Sequence, residues 1–272
     1  MSLSVNTNLG AMRALASLRT TGETLGVYSK QLQTGYRVAD ATDDASTFSV
    51  AQGIRANLQA YSAVQNSLAS GAGMGSVTQA ALSNISDLVG NMQAKLTQLA
   101  DGSIGASQRT IYAADFNAMT SQVSTFIAMA NYNGVNLLSN ASTARSFMAD
   151  TSGTTLTMAS QSGVSTAFTT FATSSVSSAT AATASLTSLT TFQTAVGTAI
   201  GQNATDTRSL QLQSGFVNAI SDATTTGLGQ LVDADIGKAA AQVQSQQVRQ
   251  QMAIQQLSMA NQQPAVLLSL MR

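Results

Sequence analysis

Two groups of carboxylates stand close enough along the chain to share a proton or a cation: Asp43-Asp44 and Asp233-Ala234-Asp235. Paired acids can ligate a hard metal ion or serve as a general base. Either task needs another ligand or proton partner, and no third carboxylate and no His is local. His and Cys are absent from all 272 residues. That removes Ser-His-Asp triads, thiolate nucleophiles, disulfides and His- or Cys-bound metals. Gly71, Gly73 and Gly75 lack the Lys and Ser/Thr that a phosphate-cradling loop sets in order. The acids therefore read as helix N-caps in a favourable dipole field, Asp43 or Asp44 ahead of one helix and Asp233 and Asp235 ahead of another. Arg37, Arg55 and Arg109 read as ion-pair partners, each worth at most about 1 kcal/mol when exposed. No constellation here supports catalysis, a metal or a cofactor.

Composition points the same way. Hydrophobic residues are 44%, enough for a folded core, while charged residues are 9% against roughly 25% in an average soluble domain. Lys plus Arg and Asp plus Glu are twelve each, so the net charge is zero. Such a chain exerts no long-range pull on nucleic acid or anionic lipid, and low charge of either sign favours self-association. No apolar run is long enough to span a membrane, and the opening residues carry no secretory apolar stretch. Composition does not choose between a cytoplasmic protein and one that leaves the cell without a cleaved signal.

The elements are long helices. The one Pro is Pro264, and helix-compatible Ala, Leu, Gln and Met are common. Ala11, Leu15, Leu18, Gly22, Leu25, Ser29 and Leu32 recur in steps of four and three. Leu82 to Leu99, Tyr112 to Ala130, and Leu189, Phe192 and Val196 do likewise. So do Ile236, Ala240, Val243, Gln247, Gln250, Ile254 and Leu257. This spacing predicts coiled-coil seams among four or five long helices. Gly71 to Gly75 fall inside one of them, where the helix either bends or admits a close neighbour. Gly35 to Ser46 reads as a loop and Asn133-Gly134 as a turn. From about 139 to 185 the chain is Ser/Thr-rich, which predicts short strands or irregular solvated surface over helix. The order makes the two terminal segments partners.

These residues carry a resemblance. Ser4-Val5-Asn6-Thr7-Asn8 resembles the opening of bacterial flagellins. Gly35-Tyr36-Arg37-Val38 with Asp43-Asp44-Ala45 is similar to their second signature, and Asn133-Gly134 with Leu137-Leu138 to the turn after their third helix. Asp233-Ala234-Asp235-Ile236 is similar to the start of their C-terminal segment. Asn261, Pro264, Leu267, Leu270 and Arg272 resemble their terminus. Five motifs in the right order cover the chain apart from its Ser/Thr-rich middle.

The resemblance implies a mainly α fold of long antiparallel helices, with a coiled-coil pair of N- and C-terminal helices. The polar middle would contain a small β-hairpin. Residues 1–36 and 232–272 would form an axial helical domain. Residues 37–231 would form an inner helical domain, with little or no variable outer part. It further implies a structural subunit exported through the flagellar type III apparatus without a cleaved signal. Such subunits polymerise into the extracellular filament that drives swimming. The subunit's partners would be copies of itself or other flagellins, the hook–filament junction protein, the filament cap and an export chaperone. Core contacts would fall on Leu15, Leu18, Leu25, Leu32, Ile236, Val243, Ile254, Leu257, Leu267 and Leu270. Gln in the seams is compatible with two near-equivalent packings, a family route to a helical waveform. The alternatives are the junction protein itself and a cytoplasmic coiled-coil scaffold. Hydroxyls of the middle segment would be available for O-glycosylation, as in some flagellins.

Two departures stand out. The Arg- and Glu-bearing patch that the vertebrate Toll-like receptor reads in this family is replaced by Asn91-Met92-Gln93-Ala94-Lys95-Leu96-Thr97, so weak receptor recognition is expected. An acidic residue that commonly follows the Asp-x-Asp pattern is replaced by Ala239 beside Lys238.

Overall fold

A computed structural model describes the backbone of residues 7–270 and the side chains of residues 7–262. Six helices and one hairpin follow in order: α1 (Leu9–Thr34), α2 (Ala45–Ala100), α3 (Ala106–Met129), β1 (Arg145–Met148), β2 (Thr155–Met158), α4 (Ser162–Ala172), α5 (Ala179–Val232) and α6 (Ile236–Leu270). The chain forms two compact units, one from Met1–Ala56 with Ala223–Arg272 and one from Asn57–Asp222.

The central unit, 57–222, holds the large apolar core. The seam read from Leu82 to Leu99 is buried throughout, as are Phe116, Val123, Leu189, Phe192 and Val196. At its centre Phe171 stacks parallel to Phe192 at 6.0 Å and meets Phe116 edge-on at 5.7 Å. Aromatic pairs in these arrangements add about 0.5–1.5 kcal/mol beyond their area. The turn is as expected. Asn133 and Gly134 both take positive φ, and Tyr132 and Val135 exchange backbone hydrogen bonds of 2.8 and 3.0 Å across it. Asn136 Nδ2 then donates to the Ile127 carbonyl, satisfying one orphan acceptor at the end of α3. Arg109 does the same for α2, donating to the carbonyls of Leu99 and Asp101. Arg109 is thus a helix C-cap, and after the Ser103 hydrogen bond its charge also helps hold the Asp101 carboxyl low.

The Ser/Thr-rich middle departs from its reading. The hairpin is present, with Phe147 opposite Leu156, but 162–172 and the stretch from 179 to the end of this segment are helical. Val164, Phe168, Phe171 and Val176 are buried in the main core rather than solvated. The hydroxyls do not compete with the helix. Thr166, Thr169 and Thr170 each donate to the carbonyl four residues back, a local bond that removes their demand for water.

Small residues in α2 admit close neighbouring side chains. A Cβ at Gly75 would lie 2.1 Å from Thr207 Oγ1, and at Gly73 2.9 Å from the Tyr132 hydroxyl. Beside this approach Asn203 donates to the Gly75 carbonyl at 2.9 Å and to Gln79 Oε1 at 3.0 Å. Gly75→Ala should therefore lower stability by about 1–3 kcal/mol through overpacking. Gly90, exposed in the same helix with nothing within 4 Å of its Cβ position, should gain about 0.5–1 kcal/mol as Ala. Thermal unfolding of the monomeric variants reads both signs.

Candidate functional site

The terminal unit is built on a different principle. Its α1 and α6 run antiparallel, fixed at both ends: Asn8 Nδ2 donates to the Ala260 carbonyl at 2.7 Å, and Ala234 N–H to the Gly35 carbonyl at 2.8 Å. Among the described residues of this unit only Ala14, Thr21, Val38, Ala51, Val232, Ala239, Gln246 and Ala253 are buried. The contact stripe of α6 is Ala239, Val243, Gln246, Gln250, Ala253, Leu257 and Ala260, a strict four-three repeat with each residue buried or half-buried. That stripe shares Val243, Gln250 and Leu257 with the seam read from sequence. It turns Ile236, Gln247 and Ile254 outward. In α1 the stripe is Ala11, Ala14, Leu18, Thr21 and Leu25, and Leu15 and Leu32 are exposed.

The fully buried side chains of the intramolecular seam are thus small or polar, Leu18, Leu25, Val243 and Leu257 are half-buried beside them, and other large apolar side chains face out. Leu9, Leu15, Val27, Ile236, Val248 and Ile254 are each more than two-fifths exposed. Full burial of one such side chain is worth about 1.5–3 kcal/mol, so the monomer leaves most of the hydrophobic stabilisation of these helices unused. One flank between the helices is an open groove lined by Thr20, Thr24, Gln246, Arg249 and Gln256.

The signature residues explain how the pair is held. Asn8 caps α1 by accepting the Ala11 N–H at 2.9 Å while its amide reaches Ala260. Pro264 carries no N–H, so the Ala260 carbonyl has no helical donor four residues on, and Asn8 supplies it. Gly35 ends α1 in the left-handed conformation at φ 75°, which suits Gly best. Tyr36 bridges to Asp233, and Arg37 binds the Leu231 and Val232 carbonyls through its guanidinium and N–H. Arg37 is thus a carbonyl clasp, and after the Thr47 hydrogen bond its charge also helps hold the Asp44 carboxyl low. Arg55 lies over the Tyr36 ring at 6.0 Å. Asp44 caps α2 through the Ser46 and Thr47 amides, and Asp235 caps α6 through the Lys238 amide. Asn133 and Gly134 form the turn described above, and Asn261 is exposed. Asn6 lies outside the described residues, as do the side chains of Pro264, Leu267 and Leu270.

Asp43 has another role, which sequence did not show because its partner is thirteen residues earlier. Lys30 Nζ sits 2.6 Å from Asp40 and 2.7 Å from Asp43, filling the space a cation would take. Asp43 also accepts the Ala39 and Asp40 amides. The Lys30 hydrogen bonds hold both carboxyls below the usual carboxylate range, with Thr42 adding to the effect at Asp40, and they raise Lys30 in return. Ala239, the departure from the acidic pattern, is 2% exposed in the helix seam, where a carboxylate would be desolvated. Lys95, in the other departing segment, pairs with Asp115 at 2.9 Å and lies 4.9 Å from the Tyr112 ring centroid.

Among the described residues no helix is long and apolar enough to cross a membrane. The family model described as "Bacterial flagellin N-terminal helical region" matches residues 5–143. The chain is 32% identical over 272 residues to flagellin FljO of Caulobacter vibrioides, covering 99% of this chain and 98% of that protein. It is 30% identical over 291 residues to a flagellin of Brucella melitensis biotype 1, covering 99% of each. A crystal structure of Bacillus cereus flagellin aligns with TM-score 0.47 at 20% identity, over 57% of this chain and 88% of that one.

Depressed carboxyl pKa values contribute stability to the folded loop that is fully present above the ordinary value of about 3.9 and is lost as pH falls from there through the depressed values. Protection of the Ala39 and Asp40 amides from hydrogen exchange, relative to the free-chain rate at the same pH, should therefore fall below about pH 4. Lys30→Met should make exchange fast already at pH 7 and flatten the pH dependence. An unchanged pH profile in that variant would refute the clasp.

Proposed function

The chain belongs to the bacterial flagellin family and is a structural subunit of the flagellar filament, not an enzyme; on that premise we propose that its terminal helix pair is the surface through which subunits join. The observation that carries this is the thin seam of α1 and α6, whose buried residues are Ala, Thr and Gln with Leu18, Leu25, Val243 and Leu257 only half-buried, while Leu9, Leu15, Ile236 and Ile254 stand exposed. A helix pair with so thin a seam gains its missing apolar burial from neighbouring copies, so ordering and assembly are linked by mass action. Head-to-tail contacts that do not close on themselves extend into a filament.

Residues 1–36 and 232–272 are the axial part in this reading and residues 37–231 the inner part. Intersubunit contacts fall on Leu15, Leu32, Ile236 and Ile254, which α1 and α6 leave exposed. Leu18, Leu25, Val243 and Leu257, half-buried within the pair, serve first to hold it together. Leu267 and Leu270 complete the contact residues of this reading. The filament is extracellular, and its subunits reach it without a cleaved signal. The junction protein, the cap and a chaperone are the further partners. Lys95 is engaged by Asp115 and Tyr112, which fits weak receptor recognition.

Leu15→Asp and Ile254→Asp test the assembly surface. Each places a charge where burial of an apolar side chain would contribute about 1.5–3 kcal/mol, so the critical concentration should rise at least about tenfold. Negative-stain electron microscopy should show filaments from the parent and none from the variants at the same concentration. Helical circular dichroism of the central unit should stay intact. Normal filaments from both variants would defeat the proposal. For the receptor, a cell reporter exposed to monomer should give a weak response; a strong one would overturn that part.

A further inference from the structure

Methionine is distributed unevenly between the two units. Met74, Met92 and Met158, in the core of the central unit, are 6%, 0% and 1% exposed. Met12, Met252 and Met259, on the terminal helices, are 64%, 50% and 62% exposed. Val248, Met252 and Met259 are spaced four and seven residues apart along α6, so they share one outward face. The chain has no Cys, His or Trp, so thioethers are its readiest targets for an oxygen-transferring oxidant. Met129 and Met148 of the central unit are exposed as well, at 72% and 41%, and serve as reference sites, whereas Met12, Met252 and Met259 lie on the helices whose apolar outer faces are read above as the assembly surface.

We propose that Met12, Met252 and Met259 are oxidative modification sites that gate polymerisation: their sulfoxides block subunit addition, and addition protects them. This rests on the assembly reading of the terminal helices. With hydrogen peroxide as oxidant, the O–O bond breaks and one oxygen atom bonds to the thioether sulfur. Sulfur gives up two electrons, and the second oxygen leaves as water. The product replaces a flexible apolar side chain with a strongly polar, chiral S=O dipole. On an exposed monomer that dipole is hydrated and costs nothing. Driven against a neighbouring apolar face it loses water without gaining a donor. The buried Met74, Met92 and Met158 keep their thioethers in both states, so the fold survives the same treatment.

The test treats full-length monomer and preformed filament with the same low dose of hydrogen peroxide. Peptide mass mapping reads the oxidised positions, and filament growth from seeds reads assembly. In monomer, Met12, Met252 and Met259 should oxidise well before Met74, Met92 and Met158. In filament they should be protected at least about tenfold. Oxidised monomer should elongate seeds at least about tenfold more slowly, and methionine sulfoxide reductase with a thiol reductant should restore the rate. A triple variant, Met12→Leu, Met252→Leu and Met259→Leu, should elongate at one rate with and without peroxide, whatever that rate is. Growth of oxidised parent at the untreated rate overturns the proposal, as does equal loss in the triple variant or equal oxidation in filament and monomer. If the triple variant assembles poorly even untreated, reductase rescue of the parent decides. Ile254→Asp separates the two readings. If it assembles normally, the assembly surface itself is misplaced. If it fails while oxidised parent grows, only the methionine proposal falls.

Discussion

Everything in the terminal unit depends on two helices, separated by some two hundred residues of chain, meeting through a seam too small to hold them. Ala14, Ala239 and Ala253 bring the backbones close, and Thr21 and Gln246 occupy positions where a self-sufficient coiled coil would place Leu or Ile. A buried Ala contributes a single methyl, a fraction of the burial that Leu offers at about 0.8 kcal/mol per methylene. The register is instead set by polar joints at the two ends: Asn8 to Ala260, and the Gly35–Tyr36 strand-like contact with Asp233–Ala234. Hydrogen bonds specify which residues meet. They add little net stability, about 1 kcal/mol each.

The central unit answers the same problem by ordinary packing. Phe116, Phe171 and Phe192 close a core continued by the Leu82–Leu99 face of α2 and by Leu189 and Val196 of α5. It needs no neighbour to be folded. The hairpin and the Asn133-Gly134 turn add local rigidity. The contrast matters for a subunit that must remain soluble before it joins a polymer: one part is committed to its fold, and the other keeps its apolar side chains available.

The sequence was most legible where large residues make the core. The seams of α2, α3 and α5 could be read directly, because Leu, Ile, Val, Met and Phe at steps of three and four are also the residues that end up buried. In α6 the same rule chose the wrong stripe in part. It followed Ile236 and Ile254, while the pair is built on Ala239, Gln246 and Ala253. Hydrophobic size marks a helix's stickiest face, and in an assembling protein that face need not meet its own chain. Helix α4 was hidden by composition: three Thr donors that bond within the helix masked Val164, Phe168 and Phe171 at helical spacing. Asp44 and Asp235 were legible as caps because capping is local. Lys30 between Asp40 and Asp43 was not, since a loop must first fold back to place it.

The joint between Asn8 and Ala260 has a further consequence. Its acceptor is unclaimed because of a proline four residues later, and its donor stands at the head of the first helix. Fraying at the head of the first helix therefore breaks the joint and leaves the Ala260 carbonyl without its donor, so the two distant helix ends open and close together.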